Sequence, residues 1–145
     1  MLFPHGDSNS IVGGMLGEFF RKTTGYPLNP PYYAIGFEKD LILCGVVIVN
    51  NYTGSCVELH LHAPGCFNRQ TIKFVYHYIF NDLKCNLFVV KPRRDNKKLC
   101  RIISKLNKKA FLTIIPRYYG ATKNDDAIMY IFDKEWARRW IKVDA

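Results

Sequence analysis

The sequence predicts a single α/β domain whose mixed, mostly antiparallel sheet is flanked by helices. Three observations carry that expectation. The chain has 145 residues, enough for one core and short for two. Strand-like runs rich in β-branched and aromatic residues alternate with stretches of helical period. One of these alternations, Cys56 to Val90, reads strand–helix–strand, which makes a parallel pair. The other strands are joined by short links and are expected to be antiparallel. Residues 1–145 are read as one unit.

In chain order, Ser8 and Asn9 precede a first helix over about Ile11 to Arg21. Gly13, Gly14 and Gly17 weaken it, since each glycine costs about 1 kcal/mol relative to Ala in a helix interior. Gly25-Tyr26-Pro27 and Asn29-Pro30-Pro31 form a loop. Tyr32 to Glu38 and Leu41 to Val49 are strands, joined tightly enough by Lys39-Asp40 for a hairpin. Cys56 to His62 alternates strictly. Val57, Leu59 and Leu61 face one way; Glu58, His60 and His62 face the other. Asn68 then caps a long helix with an apolar stripe of Ile72, Val75, Tyr76, Ile79, Phe80 and Leu83. Cys85 to Val90 is a strand. A second amphipathic helix follows Pro92–Asp95, with Leu99, Ile102, Ile103 and Leu106 on one face. Ala110 to Ile115 and Ala127 to Phe132 are the last strands, and Glu135 to Val143 is a short terminal segment.

Composition narrows the function classes. Hydrophobic residues make up 48%, too many for a disordered chain. Lys and Arg number 21 against 12 Asp and Glu, a net charge of +9. That balance favours an anionic partner: a phosphorylated cofactor, nucleic acid or a membrane surface. The five cysteines are odd in number, and none are at Cys-x-x-Cys spacing. A disulfide framework and a zinc ribbon are therefore disfavoured, no metal site is expected, and a reduced, cytoplasmic setting is. Met1 to Asp7 lacks the apolar core of a signal peptide, and Leu41 to Val49 is far short of the roughly 20 residues of a spanning helix. No membrane partner is expected.

Three stretches carry candidate chemistry. The turn after His62 leads into a helix that starts with Arg69, and a helix start attracts phosphate. Lys91, Arg93, Arg94, Lys97 and Lys98 surround Asn96, whose amide both donates and accepts. The cluster is equally a solvated face, and Asn96 equally a helix cap. Glu58, His60 and His62 share one strand face, either catalytic or surface. No cysteine has the spacing of a nucleophile.

The order of elements, with the second half of the chain, resembles the GNAT superfamily of acyl-CoA-dependent N-acetyltransferases. The likeness is greatest to small bacteriophage-encoded members and to the ribosomal-protein-type acetyltransferases, and spans about Ala34 to Trp140. Arg69 and Tyr76-His77-Tyr78-Ile79-Phe80-Asn81-Asp82-Leu83 look like the Thr-Arg…Tyr-x-Phe-x-x-Leu helix of those members. Pro92-Arg93-Arg94-Asp95-Asn96-Lys97-Lys98-Leu99, followed by Leu106, looks like Val-Pro-x-x-Asn-x-x-Ala…Leu-Gly-Phe. The sequence departs from the family in its phosphate loop, Ala63-Pro64-Gly65-Cys66-Phe67-Asn68, where only Gly65 is glycine. Ile103 stands where many members carry a general-acid tyrosine.

The resemblance implies acetyl-CoA as cofactor and acetyl transfer to a primary amine by direct attack in a ternary complex. It places Leu61, His62, Gly65, Cys66, Phe67, Asn68, Arg69 and Asn96 at the cofactor. The pantetheine arm then lies along an open strand edge, where Pro64 helps to end the pairing. Glu58 and His60 are the expected bases, with Ser104 or Tyr119 supplying a proton to the leaving thiolate. Backbone N–H groups near His60 and Leu61 polarise the thioester. The acceptor is left open: a protein, a small molecule or an aminoacyl-RNA, in the host cytoplasm if the chain is phage-encoded, with a homodimer as a further expectation. The alternative is a degenerate GNAT-fold protein that acts as a basic inhibitor or adaptor of a host protein or nucleic acid.

Overall fold

The computed structural model describes residues 1–63 and 65–144, the side chain of Phe111 excepted. The expectation for Pro64 lies outside the described residues. A seven-stranded sheet runs in the order β1-β2-β3-β4-β5-β7-β6. Its strands are β1 (His5–Asp7), β2 (Tyr32–Lys39), β3 (Ile42–Asn50), β4 (Cys56–His62), β5 (Leu87–Val90), β6 (Phe111–Ile115) and β7 (Ala127–Asp133). Among the described residues, only β4 and β5 are parallel. The α/β class and the mostly antiparallel sheet thus match the expectation.

Helix α1 (Ile11–Thr24) covers one face. Ser10 caps it by accepting from the Gly13 N–H, and Gly25, at φ 71°, ends it in the left-handed region. It therefore runs three residues past Arg21, to the first residue that can stop it. Its glycines have a packing role. A Cβ on Gly13 would lie 1.8 Å from the Asp7 carbonyl oxygen, and one on Gly17 would lie 2.0 Å from the Tyr32 hydroxyl. The helix interior accepts glycine because the helix must lie close to β1 and β2. Leu16 and Phe20 pack there on Ala34, Val46 and Ile48.

The opposite face is covered by α2 (Arg69–His77) and α3 (Lys97–Leu106). Asn68 and Thr71 cap the start of α2 reciprocally. The expected long helix instead changes pitch to a π-helix at Tyr78–Asp82, closed by the Leu83 N–H on the Tyr78 carbonyl. Ile79, Phe80, Phe88 and Phe132 fill this larger core, with Phe88 and Phe132 stacked 4.8 Å apart. Each such side chain contributes about 1.5–3 kcal/mol of burial.

Other boundaries shift for local reasons. The hairpin turn takes in Asp40 and Leu41, both at positive φ, so β3 starts at Ile42. Cys85 and Asn86 bond to Ile79 and Ser55, so β5 starts at Leu87. Asp133 caps a short α4 (Lys134–Ala137) by accepting from the Trp136 N–H at 2.9 Å. The strand β1 carries no pattern of its own; it forms because it can pair with Tyr33–Ile35. No helix is long and apolar enough to cross a membrane, among the described residues.

Candidate active site

The sheet opens between β4 and β5. β4 pairs with β5 from Cys56↔Leu87 to Leu59↔Val90 and no further. On its other side β4 stays paired with β3 as far as His62. The β5-facing edge of His60–His62 is therefore free of its neighbour strand, and its main-chain groups need other partners. Three depressions meet at this opening, all of them lined by Leu61 and Leu99. One is wholly apolar and lies between α2 and α3, with Phe67, Ile72 and Ile103 in its wall. A second follows the β4 edge past His62 and Gly65 to Asn96 and Lys98 at the start of α3. The third lies on the α1 face, between Phe20 and Tyr26 on one side and Lys91 and Tyr119 on the other.

His60 forms part of the third depression. Its ring lies 4.6 Å from that of Tyr26, and its Nε2 is 3.1 Å from Asn50 Oδ1. An amide oxygen accepts, so Nε2 carries the proton and Nδ1 the lone pair. Burial pulls the imidazole below its ordinary pKa, against the opposing pull of Glu58. It is a neutral base at neutral pH.

Glu58 is on the same face but differently held. Its carboxylate accepts from Lys91 Nζ at 2.6 Å and from Asn51 Nδ2 at 3.1 Å. Partial burial pushes the carboxyl upward, but Lys91 outweighs it, with help from Asn51 and His60, and keeps it below the usual value. On the Lys91 side, burial acts downward and Glu58 more than restores it, so the ammonium stays charged. The pair bridges β4 to the end of β5 where the strands part.

The remaining expected residues fall into two groups. His62, Gly65, Phe67 and Asn96 line the second depression with Leu61. Asn96 is also the α3 cap, its Oδ1 accepting from the Leu99 N–H at 3.2 Å. Cys66 is buried beside them and its thiol is pushed up to about 12, first by burial and then by Cys44. Tyr119 lines the third depression, donating its hydroxyl proton to the Lys91 carbonyl, with a pKa raised to about 12 by burial.

Arg69, Asn68 and Ser104 do not line these clefts. The Arg69 guanidinium sits 5.5 Å over the Trp140 ring, and the Asn68 side chain is used in its own cap. Ser104 bonds to Tyr130 of β7 at 3.3 Å. Ile103 is buried in the core.

The basic cluster around Asn96 divides. Arg93 pairs with Asp125 at 2.6 Å and Arg94 with Asp126 at 3.2 Å, tying down the loop before β7. Lys98 remains at the cleft. Sequence reasoning missed Phe20 and Tyr26, which reach the site only because α1 crosses to β4. It named Lys91 only as part of a charge run. Its one signal is that it follows the last paired residue of β5.

No protein-family model matches the chain, and no curated protein matches its sequence. Solved structures do match its shape. One is N-acetyltransferase PseH from Campylobacter jejuni in complex with acetyl coenzyme A. It aligns over 92% of this chain and 99% of its own, at 16% identity and a TM-score of 0.56. Another is spermidine/spermine N-acetyltransferase SpeG from Vibrio cholerae, aligned over 87% of this chain and 78% of its own, at 15% identity and a TM-score of 0.58. The chain therefore has the fold of the GNAT N-acetyltransferases.

Proposed function

We propose that the protein transfers an acetyl group from acetyl-CoA to a primary amine by direct attack at the opening between β4 and β5. The observation that carries this reading is the loss of β4–β5 pairing after Leu59 and Val90, directly beside a neutral histidine. The residues present fit the cofactor. The free β4 edge suits an extended arm, the Leu61, Phe67 and Leu99 side chains suit its apolar parts, and Lys98 at the α3 start suits phosphate. Acetyl-CoA supplies the thioester, an acyl group with a good leaving thiolate.

The protein's own groups do the rest. His60 Nδ1 accepts the proton of the attacking amine, directly or through a water. Asn50 holds the ring in the required tautomer. The freed main-chain N–H groups near His60 and Leu61 polarise the thioester carbonyl. Glu58, locked by Lys91, contributes charge and position and is a weak base. Tyr119 lines the opening and can return a proton to sulfur; Ser104 lines none of the three depressions and bonds to Tyr130. Cys66, buried and protonated, takes no part.

The adaptor reading draws on one observation, that Asn68 and Arg69 are turned to structural partners. Isothermal titration with acetyl-CoA separates the two readings: saturable binding supports the enzyme, and its absence supports the adaptor. Lys98→Ala is expected to weaken binding by about 1 kcal/mol, roughly fivefold, as an exposed charge contact does. Arg69→Ala serves as the comparison; a larger loss there, about 1.5–3 kcal/mol, would place the phosphates on α2 instead.

A further inference from the structure

The third depression, on the α1 face, is where the acceptor would enter, and the charged residues of its lining are of one sign. Lys91 and Arg93 line it, and no Asp or Glu does, among the described residues. The carboxylate beneath it, Glu58, is taken by Lys91 Nζ at 2.6 Å. Arg93 is anchored from outside by Asp125 at 2.6 Å and Asp95 at 3.2 Å. Phe20 and Tyr26 form the opposite wall, and the Tyr26 ring rests on His60.

We propose that the acceptor is a small primary amine whose body carries an anionic group, a phosphate or a carboxylate, and that polyamines are poor acceptors here. This rests on the acetyl-transfer reading for the reacting end and adds how the rest of the molecule is held. A second ammonium needs a carboxylate within a few ångströms, and the one at hand is already neutralised. It would also sit against the cationic ends of three ion pairs, because Lys91 and Arg93 line the cleft and their partners Glu58, Asp95 and Asp125 do not. An anion meets the reverse situation. The Arg93 guanidinium has the planar fork that fits phosphate and carboxylate, and Lys91 is a compact charge. The aromatic wall takes the carbon skeleton. The same cations disfavour the protonated form of the bound amine, which must be neutral to attack. SpeG, by its name, acetylates spermidine and spermine on the same fold. The acid-free lining here offers a second ammonium no carboxylate of its own.

The test uses four amines of similar length: 3-aminopropyl phosphate, 4-aminobutyrate, n-butylamine and 1,4-diaminobutane. Affinity of each for the protein is measured by calorimetry, and kcat/KM by release of free thiol from acetyl-CoA. Both anionic amines are expected to exceed butylamine by on the order of fivefold, with the diamine below it. A preference confined to the phosphate identifies a phosphate ester; a shared one identifies any anion. Lys91→Gln, which leaves Glu58 without its cation, is expected to raise the diamine and lower the anionic amines. Arg93→Gln is expected to lower the anionic amines alone. A diamine that equals or exceeds the anionic amines overturns the proposal. So does an order unchanged in both variants, or failure of all four to bind. Absence of acetyl-CoA binding, scored separately, would instead overturn the acetyl-transfer reading while the amine affinities still report the charge of the cleft.

Discussion

His60→Ala and Glu58→Gln distinguish the two candidate bases on β4. The structure ranks them. The ordinary pKa values of His and Glu differ by about 2 units, and each unit is worth about 1.4 kcal/mol of proton-transfer driving force. That is roughly 3 kcal/mol in favour of His60 before local effects. Lys91, at 2.6 Å from Glu58, lowers the carboxylate further and makes it a still weaker base. His60→Ala is therefore expected to lower kcat by about 10²–10⁴, the range of a lost general base, with acetyl-CoA affinity unchanged. Glu58→Gln should cost about tenfold or less, because it loses a positioning charge and keeps the base. The assay is kcat against pH, by thiol release. Burial keeps His60 below its ordinary value, so the base form persists at neutral pH and the acid limb of kcat falls below about pH 6.5. Protonation is also easier in the unfolded chain than in the folded one. The stability held by the neutral ring is therefore lost as pH falls below about 6.5. The reasoning is refuted if His60→Ala keeps the wild-type rate and acid limb, or if Glu58→Gln is the more damaging change.

Two more expectations follow from packing and burial. Gly13→Ala and Gly17→Ala should each destabilise the protein by about 1–3 kcal/mol in urea unfolding, because a Cβ would meet Asp7 and Tyr32 at 1.8 and 2.0 Å; a stabilising change, as helix propensity alone would give, would contradict the close approach of α1. Cys66→Ala and Cys100→Ala should keep most activity, since a thiol near 12 in the case of Cys66 is no nucleophile at neutral pH; a kinetically competent acetylated cysteine peptide, seen by mass spectrometry, would show otherwise.

Local sequence carries whatever depends on near neighbours. The period of two in Cys56–His62 puts Val57 and Leu59 in the α2-side core and leaves Glu58 and His60 on the α1 side. The stripe from Ile72 to Phe80 is buried, and Asn68, Asn96 and Gly25 mark helix ends because caps act within a turn. The single parallel pair follows from the length and pattern of the link between β4 and β5. The same locality explains the misses. Nothing within His5–Asp7 marks a strand, since what holds it comes from elsewhere in the chain: pairing with β2 and packing of the His5 ring on Phe74 and Tyr78. A π-helix at Tyr78 differs from an α-helix by one residue in its hydrogen-bond spacing, a distinction the apolar pattern does not make.

The site depended on contacts between distant residues. Glu58 and Lys91 lie 33 positions apart, and their ion pair decides which of two candidate bases is basic. His60 is desolvated by burial beside Tyr26 and Phe20, which belong to a helix and loop far earlier in the chain. Arg69 and Ser104, promising by position, are claimed by Trp140 and Tyr130. The sequence by itself determined the α/β class, the order of most elements and the face on which each strand residue stands, because these follow from the period of two or 3.6 and from turn chemistry. Only the tertiary structure decided where β4 and β5 part, which helix covers each face and which charges neutralise one another, because those outcomes depend on burial and Coulomb energy between groups that the chain brings together only when it folds.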